Sequence, residues 1–282
     1  MLVNMKTMLA AAAEKRYAVG FFNAVNVEMA RAVIETAEAL NAPVIIGTAQ
    51  ILLPAMSLER VAEYLLPMAR KASVLVCVHF DHGLTFEKCM EALKLGFTSI
   101  MYECSTEGYE ENVAKVAQMV RICHAMDVTV EGELGHVGDN EGEGQLTCPS
   151  DYYTDPALAE DFVRRTGVDA LAVAVGNAHG DYKFPPKLDF DRIRQIRDRT
   201  GVPLVLHGGS GLSDSDFREA IENGICKVNI FTDIDKAGKQ GIEEGLAAGE
   251  KTMMGLIPYE IAAMKRVVQN KLALFGSVER GV

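Results

Sequence analysis

The stretch Val74-Leu75-Val76-Cys77-Val78-His79-Phe80-Asp81-His82-Gly83 decides how this chain folds. It opens as a run of apolar and β-branched residues, which is typical of a buried strand, and it closes on a carboxylate followed by an imidazole. In parallel α/β proteins the functional side chains lie at the carboxyl ends of the strands. The stretch therefore predicts a buried parallel strand over 74–80 with chemically active groups at its end.

Seven further apolar runs of the same kind recur along the chain. The eight predicted strands cover residues 18–22, 43–47, 74–80, 99–101, 129–134, 170–175, 204–206 and 225–230. Helical patterns separate these strands, and four of the helices begin with a capping residue directly before the first helical position. The capping residues are Ser57, Thr85, Asp155 and Ser213. Helices that begin soon after strands indicate parallel crossovers.

Eight such units favour an α/β fold of the closed (β/α)8 kind, the TIM barrel, over an open doubly wound sheet. The length of 282 residues is close to the ~250 residues of that barrel, and no single glycine-rich turn marks the switch point of an open sheet. An extra N-terminal helix over 4–15 would cap the bottom of the barrel. A C-terminal helix over 258–275 would pack on the barrel or on a neighbouring subunit. We expect residues 1–282 to form a single domain.

The composition argues against several classes of partner. The formal net charge is -11 and no basic run is present, so neither a nucleic acid nor an anionic membrane surface is expected to bind. No apolar segment approaches the ~20 residues that a membrane-spanning helix needs. The six cysteines form no C-x-x-C pair and no secretory signal is visible, so a reducing cytoplasm is the expected location.

Histidines follow three of the predicted strands. His82, His179 and His207 would meet at one end of the sheet if those strands are parallel neighbours, together with the carboxylate of Asp81. Three protein ligands and an open fourth position are the arrangement of a catalytic zinc. A single histidine of this kind is more often a hydrogen-bonded core residue, but three of them at strand ends favour a metal site. The sequence therefore predicts a metal-dependent enzyme.

Other polar residues belong to the same end of the predicted sheet. Glu131 and Glu133 interrupt the fifth strand, and Asn229 lies at the end of the eighth. His79 lies two residues before Asp81, so the alternation of a strand places both on one face. For His79 this position favours a supporting or core role over metal binding.

Glycine-rich segments adjoin two of the histidines. Bare glycine backbone at 176–180 and 207–211 could direct several N–H groups at one phosphate, although Gly-Gly is also common in simple tight turns. The phosphate site of this kind of barrel uses the loops after strands seven and eight, which here include 208–210 and 229–232. Lys183 could add one positive charge.

Five motifs resemble those of the class II, zinc-dependent ketose-bisphosphate aldolases, the family of fructose-bisphosphate and tagatose-bisphosphate aldolases. The motifs are HFDHG at 79–83, EGELG at 131–135, GNAHGDYK at 176–183, LHGGSG at 206–211 and KVNI at 227–230. Their order spans most of the chain. The resemblance implies reversible cleavage of a ketose phosphate to dihydroxyacetone phosphate and an aldehyde, by a homodimer or homotetramer.

The resemblance also implies a metal centre. His82, His179 and His207 would hold Zn2+, while Glu133 and Glu103 correspond to carboxylates that can receive a displaced or second zinc. A monovalent cation, Na+ or K+, is usual beside the phosphate in this family.

Acid–base and substrate roles follow from the same resemblance. Asp81 would act on the C4 hydroxyl of the ketose, and Glu141 would protonate the enediolate carbon. Glu141 lies in the acidic, glycine-rich segment 137–150, whose composition fits either a solvated surface loop or a mobile lid. The implied substrate-binding residues are Asn26, Gly180, Lys183, Gly208, Gly209, Ser210, Asn229, Ile230, Phe231 and Thr232.

Three departures from the family pattern bear on the second metal position and on the substrate. Glu103 stands where an aspartate is usual, Ala49 where a serine is common, and Pro258-Tyr259-Glu260 where relatives commonly show Pro-x-Arg. A carboxylate at the last position would repel a distal phosphate, so a ketose 1-phosphate or another sugar bisphosphate competes with fructose 1,6-bisphosphate as the substrate.

Two other functions compete with aldol cleavage. A metal-dependent sugar-phosphate isomerase or epimerase on the same barrel would also enolise a bound ketose, and a barrel that holds a metal for a structural or regulatory purpose would catalyse nothing. Asp81 directly before His82 favours the aldolase, because this pair places a proton acceptor beside a metal-bound substrate.

Overall fold

The computed structural model describes residues 1–135, 153–177 and 187–281 with their side chains, and it describes the backbone of 138–139 and 178–179. Its main feature is a closed parallel barrel. The strands are β1 (Val19–Asn23), β2 (Val44–Ala49), β3 (Val76–Gly83), β4 (Ser99–Tyr102), β5 (Thr129–Leu134), β6 (Ala170–Val173), β7 (Leu204–Leu206) and β8 (Ile225–Ile230). Each strand pairs in parallel with its neighbours in chain order, and β8 pairs with β1. The predicted TIM barrel is confirmed.

Ten α-helices occur in the described part of the chain. They are α1 (Met5–Lys15), α2 (Val27–Ala39), α3 (Leu58–Lys71), α4 (Phe86–Leu95), α5 (Tyr109–His124), α6 (Pro156–Thr166), α7 (Phe190–Thr200), α8 (Asp214–Asn223), α9 (Thr232–Ala247) and α10 (Met253–Leu274). The predicted capping residues Thr85, Asp155 and Ser213 each accept hydrogen bonds from the first turn of a helix. Ser57 occupies the capping position of α3 without a side-chain hydrogen bond.

The predicted N-terminal helix closes one end of the barrel. Met5, Met8 and Leu9 of α1 belong to the same buried cluster as Phe21 and Ile45 of the barrel strands. The short strand Leu2–Val3, which precedes α1, pairs with the first two residues of β3. α1 therefore covers the amino-terminal end of the strands, and the predicted functional groups whose side chains are described lie toward the opposite end.

The C-terminal helix differs from the prediction at its start. The prediction that it begins at Pro258 is wrong, because α10 begins at Met253 and contains Pro258 in its interior. Thr252 supplies the cap by accepting a hydrogen bond from Gly255 N at 3.2 Å, so the helix begins directly after this capping residue and not at the proline. α10 packs on α2 and α9 of the same chain.

Strand boundaries agree closely with the sequence. The predicted bounds of β5, β7 and β8 are confirmed, and the bounds of the other strands differ by no more than three residues at either end. In the described ranges, no helix combines the length and the apolar character needed to cross a membrane.

Candidate metal and catalytic site

Two consecutive functional side chains, Asp81 and His82, lie at the carboxyl end of β3. In a regular strand neighbouring side chains point to opposite faces, so two adjacent residues would not reach one site. Here the register between β3 and β4 shifts between Phe80 and Gly83, and His82 adopts a left-handed backbone conformation with a φ of 43°. This irregularity brings His82 Nε2 to 4.0 Å from Asp81 Oδ1. Such a backbone costs about 1 kcal/mol or more, so the surrounding structure must hold it.

The carboxylate of Asp81 is buried and held by two amides. Asn23 Nδ2 donates to Oδ2 at 3.2 Å, and Asn229 Nδ2 donates to Oδ1 at 3.3 Å. His79 Nε2 lies 3.7 Å from Oδ1, on the face that strand alternation predicts. Burial opposes ionisation of Asp81, but the positive charge of His82 and the contact with His79 hold its pKa well below the usual range. Asp81 is therefore an ionised carboxylate whose orientation its partners fix.

Glu103 contacts the other ring nitrogen of His82. Its Oε2 lies 2.8 Å from His82 Nδ1, and its Oε1 accepts a hydrogen bond from Ser105 N at 2.8 Å. Burial alone would raise the pKa of Glu103, but the contacts with His82 and Ser105 lower it to about 2. Because this ionised carboxylate occupies Nδ1 of His82, the other ring nitrogen, Nε2, faces Asp81. A carboxylate supports a metal-binding histidine in the same way.

His207 is completely buried between two carboxylates. Its Nε2 lies 2.9 Å from Glu131 Oε1, and its Nδ1 lies 2.9 Å from Glu133 Oε2. Burial lowers the pKa of this histidine, yet the two carboxylates more than compensate and raise it to about 10. The surroundings of His207 therefore favour a positive charge at this position, whether a proton or a metal cation supplies it.

The donor atoms of this region fit a zinc ion. Three groups of side chains in the described ranges bring ligand atoms within 4.8 Å of one another: Asp81 with His82 and His207, His82 with Glu103 and Glu133, and His79 with Asp81 and Glu131. The rings of His82 and His207 have their centroids 4.7 Å apart. Imidazole nitrogens combined with carboxylate oxygens are the ligands that zinc prefers, together with thiolates.

The loops that follow β7 and β8 pack against each other beside this centre. Gly209 N donates to the carbonyl oxygen of Asn229 at 3.2 Å, and Asp233 N donates to Ser210 Oγ at 3.4 Å. A Cβ on Gly209 would lie 3.0 Å from the same carbonyl oxygen, and Gly208 has a φ of 62°, so both positions need glycine. These loops place glycine backbone beside the beginning of α9, a combination suited to an anion.

The other predicted substrate residues with described side chains lie at the same end of the barrel. Ile230 is the buried last residue of β8, Phe231 precedes α9, and Thr232 begins that helix. Asn26 caps α2, where its Oδ1 accepts a hydrogen bond from Met29 N at 2.7 Å.

An open groove of about 470 Å³ begins at Asn26 and runs between α2, α9 and α10. Asp235, Glu243 and Glu260 line it, with Lys239 as the basic residue among its lining groups. Lys239 Nζ lies 3.2 Å from Glu243, which leaves the groove acidic. Burial and the negative charge of nearby Glu28 raise the pKa of Glu260, and a hydrogen bond with Asn26 acts in the opposite direction.

Some predicted residues lie outside the described part of the structure. Glu141, Gly180 and Lys183 lie wholly outside the described residues. His179 is described only by its backbone, in the short strand Ala178–His179 that pairs with Gly138–Asp139. The assignments of these four residues therefore stay predictions.

Sequence reasoning assigned no site role to two residues of this site. Asn23 ends the apolar run of β1 as Asn229 ends that of β8, and this shared pattern could have identified it. Lys227 interrupts β8 two residues before Asn229, so alternation places both on one face of the strand. Its side chain is completely buried, and its Nζ lies 2.8 Å from Glu131 Oε2.

Comparison with known proteins agrees with this geometry. The model of the family described as "Fructose-bisphosphate aldolase class-II" matches residues 3–280. The chain is 38% identical over 286 residues to the fructose-bisphosphate aldolase of Staphylococcus aureus, covering 99% of each chain. It is 39% identical over 294 residues to that of Geobacillus stearothermophilus, covering 98% of this chain and 97% of the relative. The crystal structure of the YdjI aldolase from Escherichia coli K12 covers all of both chains with 36% identity and a TM-score of 0.91.

Proposed function

The chain belongs to the class II fructose-bisphosphate aldolase family, and from this premise we propose that it uses zinc to cleave a ketose phosphate reversibly into dihydroxyacetone phosphate and an aldehyde. Membership makes the protein a metal-dependent aldolase, a carbon–carbon lyase. The observation that carries the proposal is the position of Asp81, an ionised carboxylate held by Asn23 and Asn229 directly beside the imidazole of His82.

The metal site would consist of His82, His179 and His207. Glu103 on His82 Nδ1 and Glu131 on His207 Nε2 support this assignment, because each directs the opposite ring nitrogen toward the shared site. A cation held there acts as a Lewis acid for the negative charge that develops on the oxygens of the ketose during cleavage.

Asp81 would carry out the first proton transfer. It takes the proton of the C4 hydroxyl while the C3–C4 bond breaks, so that C4 becomes the aldehyde carbonyl and the bonding electrons stay on the dihydroxyacetone phosphate half as an enediolate. The amides of Asn23 and Asn229 hold the carboxylate in place for this step. Among described residues nothing donates to the Oδ1 atoms of these two asparagines, so both can accept hydrogen bonds from substrate hydroxyls. Glu141 would then protonate C3 of the enediolate.

The phosphate of the dihydroxyacetone half would bind beside the metal. Gly208 and Ser210 would contribute backbone and hydroxyl donors, Gly209 would let the phosphate approach the backbone closely, and the segment 229–232 would form the other wall, as the packing of these two loops supports. Gly180, Lys183 and a monovalent cation would complete this subsite, in line with the resemblance of the motifs.

The aldehyde half would extend toward the acidic groove. Val25 and Asn26, which line the groove, lie two and three residues after Asn23, so one wall of the groove is the segment that follows β1. A phosphate would meet the carboxylates of Glu260 and its neighbours, and the like charges would repel. We therefore infer that this end takes an uncharged, hydroxyl-bearing aldehyde, which makes a ketose 1-phosphate a better substrate than a ketose bisphosphate.

The decisive experiment measures the exchange of the C3 proton of dihydroxyacetone phosphate, the half-reaction that is the same whichever aldehyde the protein uses. The zinc-loaded protein is incubated with dihydroxyacetone phosphate in deuterium oxide, with and without a chelator, and exchange at C3 is followed by NMR. We expect exchange that the chelator abolishes and that added zinc restores. Absence of exchange in the zinc-loaded protein would contradict the proposal.

Condensation with different aldehydes then identifies the preferred aldehyde and distinguishes an aldolase from an isomerase or epimerase. We expect condensation with uncharged hydroxyaldehydes to proceed with a higher kcat/KM than condensation with glyceraldehyde 3-phosphate. An isomerase or epimerase would convert ketose phosphates without releasing dihydroxyacetone phosphate.

The quaternary structure inferred from the family resemblance, a homodimer or homotetramer, is tested by sedimentation equilibrium. The inferred cytoplasmic location is tested by fractionation of cells.

A further inference from the structure

Lys227 is a charged residue in the interior of the barrel. Its side chain has no exposed surface, and its Nζ lies over the ring of Phe21 at 4.7 Å from the centroid. Removing an ammonium group from water is strongly unfavourable even after the protein relaxes. Such a charge persists when a specific partner compensates it, and the partner here is Glu131, whose Oε2 lies 2.8 Å from Nζ.

Glu131 links this lysine to the metal site. While Oε2 accepts the hydrogen bond from Lys227, Oε1 lies 2.9 Å from Nε2 of His207. Lys227 belongs to β8 and Glu131 to β5, and His207 directly follows β7, so the contacts cross the interior of the barrel. Both oxygens of Glu131 are thereby engaged, one by the ammonium group and one by the imidazole.

From these contacts we propose that Lys227 is a positioning residue, which holds Glu131 so that His207 presents Nδ1 to the metal. This inference rests on the metal-binding role of His207 in the proposed function. An acceptor on Nε2 fixes the proton of the neutral imidazole on that nitrogen and fixes the orientation of the ring. Without the ammonium group, Glu131 can turn toward His79, whose Nε2 lies 3.9 Å from Oε2, and the ring of His207 loses its fixed partner.

The pairing also separates the two carboxylates of β5. Glu131 and Glu133 both contact His207, on opposite ring nitrogens. Lys227 engages Glu131, whereas Ser105 Oγ donates to Glu133 Oε1 at 3.2 Å. The lysine therefore retains Glu131 on Nε2 of the histidine, and a metal bound at Nδ1 would replace the contact of that nitrogen with Glu133.

Zinc alone is the probe for the test. The affinity of the metal-free protein for Zn2+ is measured by competition with a chelator for the wild type, for Lys227→Met and for the matched control Lys265→Met. Lys265 pairs with Glu35 on the outside of the barrel, far along the chain from every proposed ligand. We expect the affinity of Lys227→Met to fall by about 10- to 100-fold, the usual effect of losing support behind a metal-bound histidine, and that of the control to stay within about twofold. Wild-type affinity in folded Lys227→Met overturns the proposal.

A second readout separates positioning from general destabilisation. With Co2+ in place of Zn2+, the visible absorption spectrum reports the ligand geometry, and we expect it to change in Lys227→Met but not in Lys265→Met. An unchanged spectrum together with unchanged affinity would assign Lys227 to packing alone.

If Lys227→Met does not fold, two other variants carry the test. Glu131→Gln keeps the shape of the side chain, and Glu131→Gln combined with Lys227→Met removes both buried charges. We expect zinc affinity at least about tenfold below wild type in both, and wild-type affinity in either one overturns the proposal. No substrate enters these measurements, so a protein that binds zinc as expected but fails to cleave ketose phosphates would contradict the proposed function and not this inference.

Discussion

Asn23 Nδ2 lies 3.2 Å from Asp81 Oδ2, so the last residue of β1 holds the carboxylate at the end of β3. These two strands are separated by β2 in the barrel. The contact therefore depends on closure of the sheet and on the irregular end of β3, and it sets the direction of the carboxylate that would receive the substrate proton.

We expect Asn23→Ala to lower kcat by about tenfold, because Asp81 keeps its charge but loses one of the two amides that orient it. Zinc content should be unchanged. The matched control is Asn223→Ala, since the amide of Asn223 donates to a carbonyl oxygen at the exposed end of α8. Steady-state kinetics and elemental analysis of both variants make the comparison, and equal kcat values in the two would remove Asn23 from the site.

Asp81→Ala should have a larger effect. Removing a general acid–base group typically costs ~100-fold or more in rate, and zinc should stay bound because the proposed ligands are histidines. Cleavage rate and zinc content are measured on the same preparation. Unchanged turnover would refute the assignment of Asp81, and loss of zinc would mean that Asp81 acts as a ligand.

The barrel and the position of its site could be predicted because both follow from local patterns. Apolar runs separated by helical patterns fix the alternation of strands and helices, and polar residues such as Asp81 and Asn229 mark the carboxyl ends of the strands. The left-handed backbone of His82 and the shifted register beside it could not be predicted, because regular alternation places Asp81 and His82 on opposite faces.

Contacts across the barrel were also beyond the reach of the sequence. Lys227 and Glu131 are 96 residues apart, and their ion pair exists only because the closed sheet points both side chains into its interior. The pattern of β8 indicates which face Lys227 occupies, but it does not indicate which of the acidic residues on the other strands it meets.

Glu141→Ala should slow the exchange of the C3 proton of dihydroxyacetone phosphate with solvent, because the residue is proposed to protonate that carbon. We expect a loss of about 100-fold, typical for a general acid–base group, with unchanged zinc content. NMR in deuterium oxide measures the exchange. Exchange at the wild-type rate would assign the proton transfer to another group.

Glu103→Ala should weaken zinc binding by about 10- to 100-fold, because His82 would lose the carboxylate on its Nδ1. The matched control is Glu107→Ala, since Glu107 follows on the same segment and pairs with Lys115. Competition with a chelator gives the affinities. If Glu103 instead serves as a ligand of a second zinc, its removal would lower the number of ions bound per chain and leave the affinity of the first ion unchanged.

Glu260→Gln should stabilise the protein near neutral pH and have little effect in acid. Burial and the charge of Glu28 raise the pKa of Glu260 above its ordinary value of 4.5, so the folded state binds this proton more tightly than the unfolded state. That stabilising effect is fully present below pH 4.5 and is lost as the pH rises through the folded-state pKa. The glutamine variant avoids this loss.

Glu260 is partly exposed, so the expected rise in Tm near neutral pH is small, about 1–2 °C. Thermal unfolding of the wild type and of Glu260→Gln across the acidic to neutral range measures this rise in Tm, and a Tm difference independent of pH would exclude ionisation of Glu260 as the cause.

The same variant, Glu260→Gln, tests whether the aldehyde binds in the groove. If the carboxylate repels a distal phosphate, its removal should raise kcat/KM for glyceraldehyde 3-phosphate more than for an uncharged hydroxyaldehyde, and an equal change for both would place the aldehyde elsewhere.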